Sequence, residues 1–413
     1  MSPLNIKLSS YRAFRDETQL TIKPLTLLFG QNQVGKSTLL RFLPLLSDSL
    51  QQNAGPLDLG SPSLRGAQFK ELGWMGRSDF SMTPEFAIAS GLDHQSPFLR
   101  MQFSDDKGPL VNRIELGRGE RGNKFRVSLA AAPVRTGKTY SAGYAGKYRG
   151  ADWNGNLSFV NLIPDGLPQQ AQEIVDLLKE ALAPLRKMQW LRANRVLESG
   201  SAERASQCCK PDGSDLASQI QGAHERSILD PASLWLSNQD GLASDIVLQS
   251  TAAIGPHFLI SSPGKELLPL HLAGEGLRSL LPILLSACWA ESEYDSRPSL
   301  LAIEEPEAHL HPTVQVALFD RLLETVKAGV PLVLETHSVY MLRAMQVAVL
   351  EGKLSSDDVS LNWVSQGKDG VANVARIEVG PDATLAGWRP FVFEKEQEMA
   401  RRIIDLRWKG QGL

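Results

Sequence analysis

The residues best able to do chemistry fall in three short stretches of this 413-residue chain. The first is Gly30-Gln31-Asn32-Gln33-Val34-Gly35-Lys36-Ser37-Thr38, a G-x4-G-K-[ST] pattern between the apolar run Leu25 to Phe29 and the helix-like TLLRFLPLL. Its glycines let the backbone curl so that N–H groups converge on phosphate oxygens, and the helix N-terminus adds partial positive charge. Lys36 is expected to pair with β- and γ-phosphates and the Ser37 hydroxyl to ligate Mg2+, so the stretch reads as an ATP site. The second stretch is Leu300 to Glu305, four apolar residues ending in two carboxylates. Such a strand places its acids at the carboxyl edge of a parallel sheet, where ligands bind. Glu304 is expected to hold Mg2+ directly or through water, and Glu305 to orient or deprotonate the attacking water. The third is Val333-Leu334-Glu335-Thr336-His337-Ser338, whose imidazole could hydrogen-bond the γ-phosphate; a buried, satisfied histidine is the plainer alternative. Lys36, Glu305 and His337 form the catalytic set.

Two further patterns resemble sites and are set aside. Gly137-Lys138-Thr139 repeats the GKT, but Ala132 stands where the leading glycine belongs and the flanks are hairpin-like. Glu307, His309 and His311 cluster within five residues, yet no further ligands follow at a spacing suited to a metal.

These groups need elements to hold them. Ile6, Leu8, Leu20 and Ile22 alternate with polar residues as two short strands, and Leu25 to Phe29 form a buried strand ending on Gly30. From Phe86 to Leu162, short alternating segments separated by turn residues, including GRGERGN, predict an antiparallel meander. PQQAQEIVDLLKEAL places Ile174, Leu177, Leu178 and Leu182 on one helical face, and helical, loop-rich sequence continues to about residue 245. The last third alternates strand and helix, which implies a parallel sheet covered on both faces.

Composition narrows the class. Charged residues make up 22%, apolar residues 42% and the net charge is -3, as in a globular protein with a sizeable core. No run of about 18 apolar residues suggests a membrane span, and no basic start followed by an apolar run suggests secretion. Cys208, Cys209 and Cys288 fit neither a disulfide set nor a zinc site, which points to a reducing cytoplasm. Near-neutrality also argues against a surface that coats nucleic acid throughout.

LTLLFGQNQVGKSTLL, LLAIEEPEAHLHP and LVLETHS together resemble the ABC-type ATPases of the SMC, RecF and OLD group, especially the stand-alone prokaryotic AAA family ATPases with ABC-like heads. NIKLSSYRAFRDETQLTIKPL is similar to that group's first hairpin. The resemblance implies a P-loop NTPase of the α/β class, with a RecA-like parallel sheet, an ABC-type antiparallel β-subdomain and an inserted helical lobe. It divides the chain into an N-terminal half-head (1–85), a β-subdomain (86–165), a helical insertion (166–262) and a C-terminal half-head (263–413). It also implies that Tyr11 and Arg12 lie near the nucleotide base. The matching signature is Leu272 to Ser279, in which Gly274, Glu275 and Gly276 would close over the γ-phosphate of a partner subunit. Ala273 replaces the leading serine, leaving Arg278 or Ser279 to supply a side-chain contact, and Pro282 is expected to interrupt the helix after its first turn. A simple helix-capping turn is the alternative. Gln68 is a weak match to the coupling glutamine, and Glu307 to His311 would form an interface loop.

The implied activity is ATP hydrolysis with Mg2+, in a homodimer or higher oligomer formed through the ATP sites. No clustered acids follow His337, so a fused nuclease is not expected, and the missing heptads disfavour a clamp with a long coiled coil. Between Arg113 and Arg149, nine Lys/Arg (113, 118, 121, 124, 126, 135, 138, 147, 149) stand against Glu115 and Glu120, with Tyr140, Tyr144 and Tyr148 interleaved. That segment reads either as a nucleic-acid surface or as guarded hairpin edges. Three outputs stand open: a dimerisation switch that regulates a separately encoded effector in anti-phage defence, a RecF-like repair ATPase that binds DNA itself, and an ATP-dependent scaffold with negligible turnover.

Overall fold

The computed structural model describes residues 3–74, 85–90, 96–119, 124–195, 210–221, 225–239, 242–243, 245–252, 255–261, 266–388 and 391–410. Cys208, Cys209, Glu120 and Arg121 lie outside them. A seven-stranded sheet forms the centre, in the order Met188–Leu191, Leu300–Glu304, Leu332–Thr336, Leu25–Gly30, Val359–Gln366, Ala372–Val379, Leu385–Ala386. The first five run parallel and the last two pair antiparallel.

Side chains alternate across this sheet into two cores. Leu28, Leu300, Ala302, Val333 and Val364 face one apolar cluster, shared with the helix Phe42–Ser49 and the β-subdomain. Leu27, Phe29, Leu301, Ile303, Leu334 and Leu361 face the other, under the helices Glu275–Glu291, Pro312–Lys327 and Val339–Leu350. Burial on both faces is why these strands read as unbroken apolar runs.

A nine-stranded sheet carries the β-subdomain, and it reaches beyond the meander expected at 86–165. Leu4–Ser9 pairs with both Thr18–Ile22 and Glu85–Ser90, so the opening hairpin is its continuation. This pairing spans some 80 residues and leaves no local pattern to read. The 166–262 stretch holds the helices Gln172–Ala181 and Glu225–Ser237, but it is not wholly helical. Met188–Leu191 joins the central sheet beside Leu300–Glu304, and Asp245–Thr251 pairs with Gly255–Ser261.

Pro282 does not stop its helix, contrary to expectation: Glu275–Glu291 runs through it. An interior proline costs about 3 kcal/mol. Leu280, Leu281, Ile283, Leu284 and Leu285 are all fully buried around it, each contributing about 1.5–3 kcal/mol, and burial wins. Among the described residues no helix is long and apolar enough to cross a membrane.

Candidate functional site

Three parallel strands deliver the chemistry to one sheet edge. Glu304 lies in register with Glu335, and Glu335 with Leu28 of the strand that runs into Gly30. The loop after Gly30, the paired acids and the histidine segment therefore converge, although they lie far apart in sequence. Two glycines are demanded by the loop. A Cβ on Gly30 would sit 2.1 Å from the Val364 carbonyl oxygen, and Gly35 holds φ 106°, a left-handed conformation that side chains resist. Val34 is buried and pins the loop to the core, while Gln31, Asn32 and Gln33 face solvent. Gly35 opens the short helix Lys36–Leu40, on which Ser37 and Thr38 are half-buried.

Lys36 is buried, and its Nζ donates to the Gln31 carbonyl at 2.6 Å. Burial lowers its pKa, opposed by the charges of Glu335, Glu305 and Glu307. This internal bond is one that a phosphate can replace. The Ser37 hydroxyl donates to Glu335 Oε1 at 2.6 Å, and the other Glu335 oxygen is buried without a hydrogen-bond partner. Burial pushes the Glu335 carboxyl up to about 7.

The acid pair splits its roles. Glu304 is 2% exposed and accepts two 2.6 Å bonds from Arg41 Nε and Nη2, plus one at 3.1 Å from Trp190 Nε1. It is thus placed against Arg41 and Trp190 rather than against Ser37. Glu305 is partly exposed, has φ 43°, and its Oε1 lies 3.7 Å from His337 Nε2. Burial and the Lys36 charge lower the His337 pKa, which favours the neutral ring. Its backbone N–H donates to Glu307 Oε1 at 2.6 Å. Ligand atoms of Glu305, Glu335 and His337 all lie within 4.8 Å of one another, a donor set that a divalent cation could use.

A residue with no motif ties the site together. Arg195 is 5% exposed and donates to the carbonyls of Arg192, Glu304, Glu305 and Ser279 and to the Ser279 hydroxyl, at 2.7–3.1 Å. Burial brings its pKa down to about 10. Ser279 therefore points inward and is not available to touch a partner's phosphate. Gly274 caps the Glu275–Glu291 helix, with nothing within 4 Å of the Cβ position, while Gly276 backs onto the His309 carbonyl. Arg278 pairs with Glu275 at 2.7 Å on the exposed side.

Other expectations fare unevenly. Tyr11 is buried edge-on against Phe42, so it does not offer a face to a base. Arg12 has φ 48°, and its Nη2 donates to the Leu64 carbonyl at 3.3 Å while its Nε is buried without a partner. Gln68 is taken up in a capping box with Glu71. His311 caps the helix Pro312–Lys327. The tyrosines of the basic segment are buried, with the hydroxyls of Tyr140, Tyr144 and Tyr148 bonded to Val111 N–H, Val111 O and Gln170 O. They serve the β-subdomain core and present no stacking surface. Lys124 and Arg126 both pair with Glu115, Arg118 with Glu173, Arg135 with Asp106 and Lys138 with Asp58.

A model of the AAA ATPase domain family matches residues 202–342. Two solved structures align over nearly the whole chain. One is an SmcHead bound to the C-winged helix domain of ScpA, with TM-score 0.51 and 14% identity, covering 92% of this chain and 98% of that one. The chain has the fold of an SMC-like, ABC-type ATPase head. The other is an Smc head domain with an extended coiled coil, bound to the C-terminal domain of ScpA derived from Pyrococcus furiosus, with TM-score 0.51 and 11% identity, covering 97% and 99%. No curated protein matches the sequence. In this head, Arg41, Trp190, Arg195 and Glu335 are the site residues that motif reading passed over. Glu335 stood within a recognised stretch, and Arg41 lies one helical turn after Ser37.

Proposed function

We propose that this head binds and hydrolyses ATP, and that nucleotide governs its dimerisation. The observation that carries the reading is the convergence of Lys36, Ser37, Glu305 and His337 at one sheet edge. The loop N–H groups and Lys36 hold the phosphates, exchanging the Gln31 carbonyl for a phosphate oxygen. Mg2+ fits the donor set, because a hydroxyl and an acid with an unpartnered oxygen meet beside the loop; when bound, it neutralises charge on the β- and γ-phosphates. Glu305 accepts a proton from water or orients it, and neutral His337 donates a hydrogen bond to the γ-phosphate. Gly274, Glu275 and Gly276 sit at the N-terminus of a 17-residue helix, where backbone N–H groups suit the γ-phosphate of a second copy. ATP then acts as a ligand that favours the closed dimer, and hydrolysis releases it.

The stand-alone heads that this chain resembles support a cytoplasmic role in anti-phage defence, in which the dimer regulates a separately encoded effector. That the aligned SMC heads carry a domain of ScpA supports a partner-binding head. A RecF-like reading rests on the exposed cations Arg113 and Arg126. Neutralising them should remove DNA stimulation of turnover if DNA is bound directly. Phosphate release by the wild type, Lys36→Ala and Glu305→Gln tests the core reading: turnover that both variants abolish supports it, and wild-type turnover at background favours the scaffold alternative.

A further inference from the structure

The acids beside the phosphate loop are not equivalent. Glu304 occupies the position expected to hold the cation, but both its oxygens are engaged by the Arg41 fork, which already neutralises it. Binding a cation there would mean breaking a bidentate pair that is almost wholly buried. Glu335 lies on the neighbouring strand, between Glu304 and the strand that runs into Gly30. It is buried, with 2% of its surface exposed. One oxygen accepts a hydrogen bond from the Ser37 hydroxyl, leaving the lone pairs of that hydroxyl free, and the other oxygen has no partner. A buried carboxylate oxygen without a hydrogen bond is costly, and a cation beside it removes that cost.

We propose that Glu335, and not Glu304, is the acidic residue that binds the nucleotide-associated divalent cation, together with the Ser37 hydroxyl. Glu304 is instead a brace that holds Arg41 and Trp190 and so fixes the acid strand against the helix after the loop. The proposal rests on the ATP-site reading above and names the carboxylate within it. Glu305 and His337 close the same cluster from the outer side.

Mn2+ serves as the probe, with a non-hydrolysable ATP analogue and the full chain, and free Mn2+ is read by electron paramagnetic resonance. Glu335→Gln should weaken Mn2+ binding in the ternary complex about tenfold or more, while binding of the analogue in EDTA persists. Glu304→Gln should leave the Mn2+ affinity within about twofold, while its unfolding midpoint falls because Arg41 loses its partner. Glu335→Asp, which keeps the charge on a shorter side chain, should fall between wild type and Glu335→Gln, and it decides the question if the amide variant does not fold. Unchanged Mn2+ affinity in the Glu335 variants with a loss in Glu304→Gln overturns the proposal. A wild-type protein that binds no analogue at all overturns the ATP-site reading instead.

Discussion

Lys36 and Glu305 have separable tasks in the proposed cycle. Lys36→Ala removes a charge-assisted bond of about 1.5–3 kcal/mol, so ATP affinity measured by calorimetry should fall about 10–100-fold. Glu305→Gln keeps the shape but removes the base, so turnover should drop by about two orders of magnitude or more while ATP affinity is retained. A third residue tests electrostatics away from the site. Asp48 lies on the helix Phe42–Ser49, where burial lifts its carboxyl to about 6, partly offset by a Ser61 hydrogen bond. A raised carboxyl favours the folded state while protonated: its contribution is full below about pH 4 and is lost as pH rises through about 6. Asp48→Asn should therefore raise the melting temperature relative to wild type above pH 6, by up to about 2 kcal/mol of stability, and the gain should vanish near pH 4. The places of Glu305 and Lys36 were legible because one follows a strand and the other opens a helix in a recognisable local pattern. The Arg41–Glu304 pair was not, since its partners lie 263 residues apart and no spacing rule connects them.

At the scale of elements, the telling feature is how Arg195 joins three of them. It follows the strand Met188–Leu191, reaches the helix Glu275–Glu291 at Ser279, and holds the carbonyls of Glu304 and Glu305. Arg195→Ala leaves several buried acceptors unpaired, so urea unfolding should show a loss of about 3 kcal/mol. Arg195→Lys should recover only part of it, because an ammonium cannot span the fork. Equal stability of the alanine variant would deny Arg195 this strut role. Leu25–Gly30, Leu300–Glu304 and Leu332–Thr336 were readable from their apolar runs, whereas Met188–Leu191, Val359–Gln366, Ala372–Val379 and Leu385–Ala386 of the same sheet were not. Met188–Leu191 is only four residues long and sits in helical surroundings, and its identity comes from pairing with Leu300–Glu304. Pro282 shows the converse, a local rule overridden by the burial of its neighbours.

At the scale of the whole molecule, the proposed cycle needs a second copy to complete the site. Gly274 to Gly276 lie at the start of the helix Glu275–Glu291, and the proposed cycle places them on the phosphate of a second copy. Nucleotide-governed dimerisation is read from the mass of Glu305→Gln in solution, measured by light scattering with ATP·Mg2+ and again with ADP·Mg2+. A dimer of about twice 45.2 kDa with ATP and a monomer with ADP are expected. A mass that does not depend on the nucleotide, or hydrolysis by this variant at the wild-type rate, would contradict the proposed cycle.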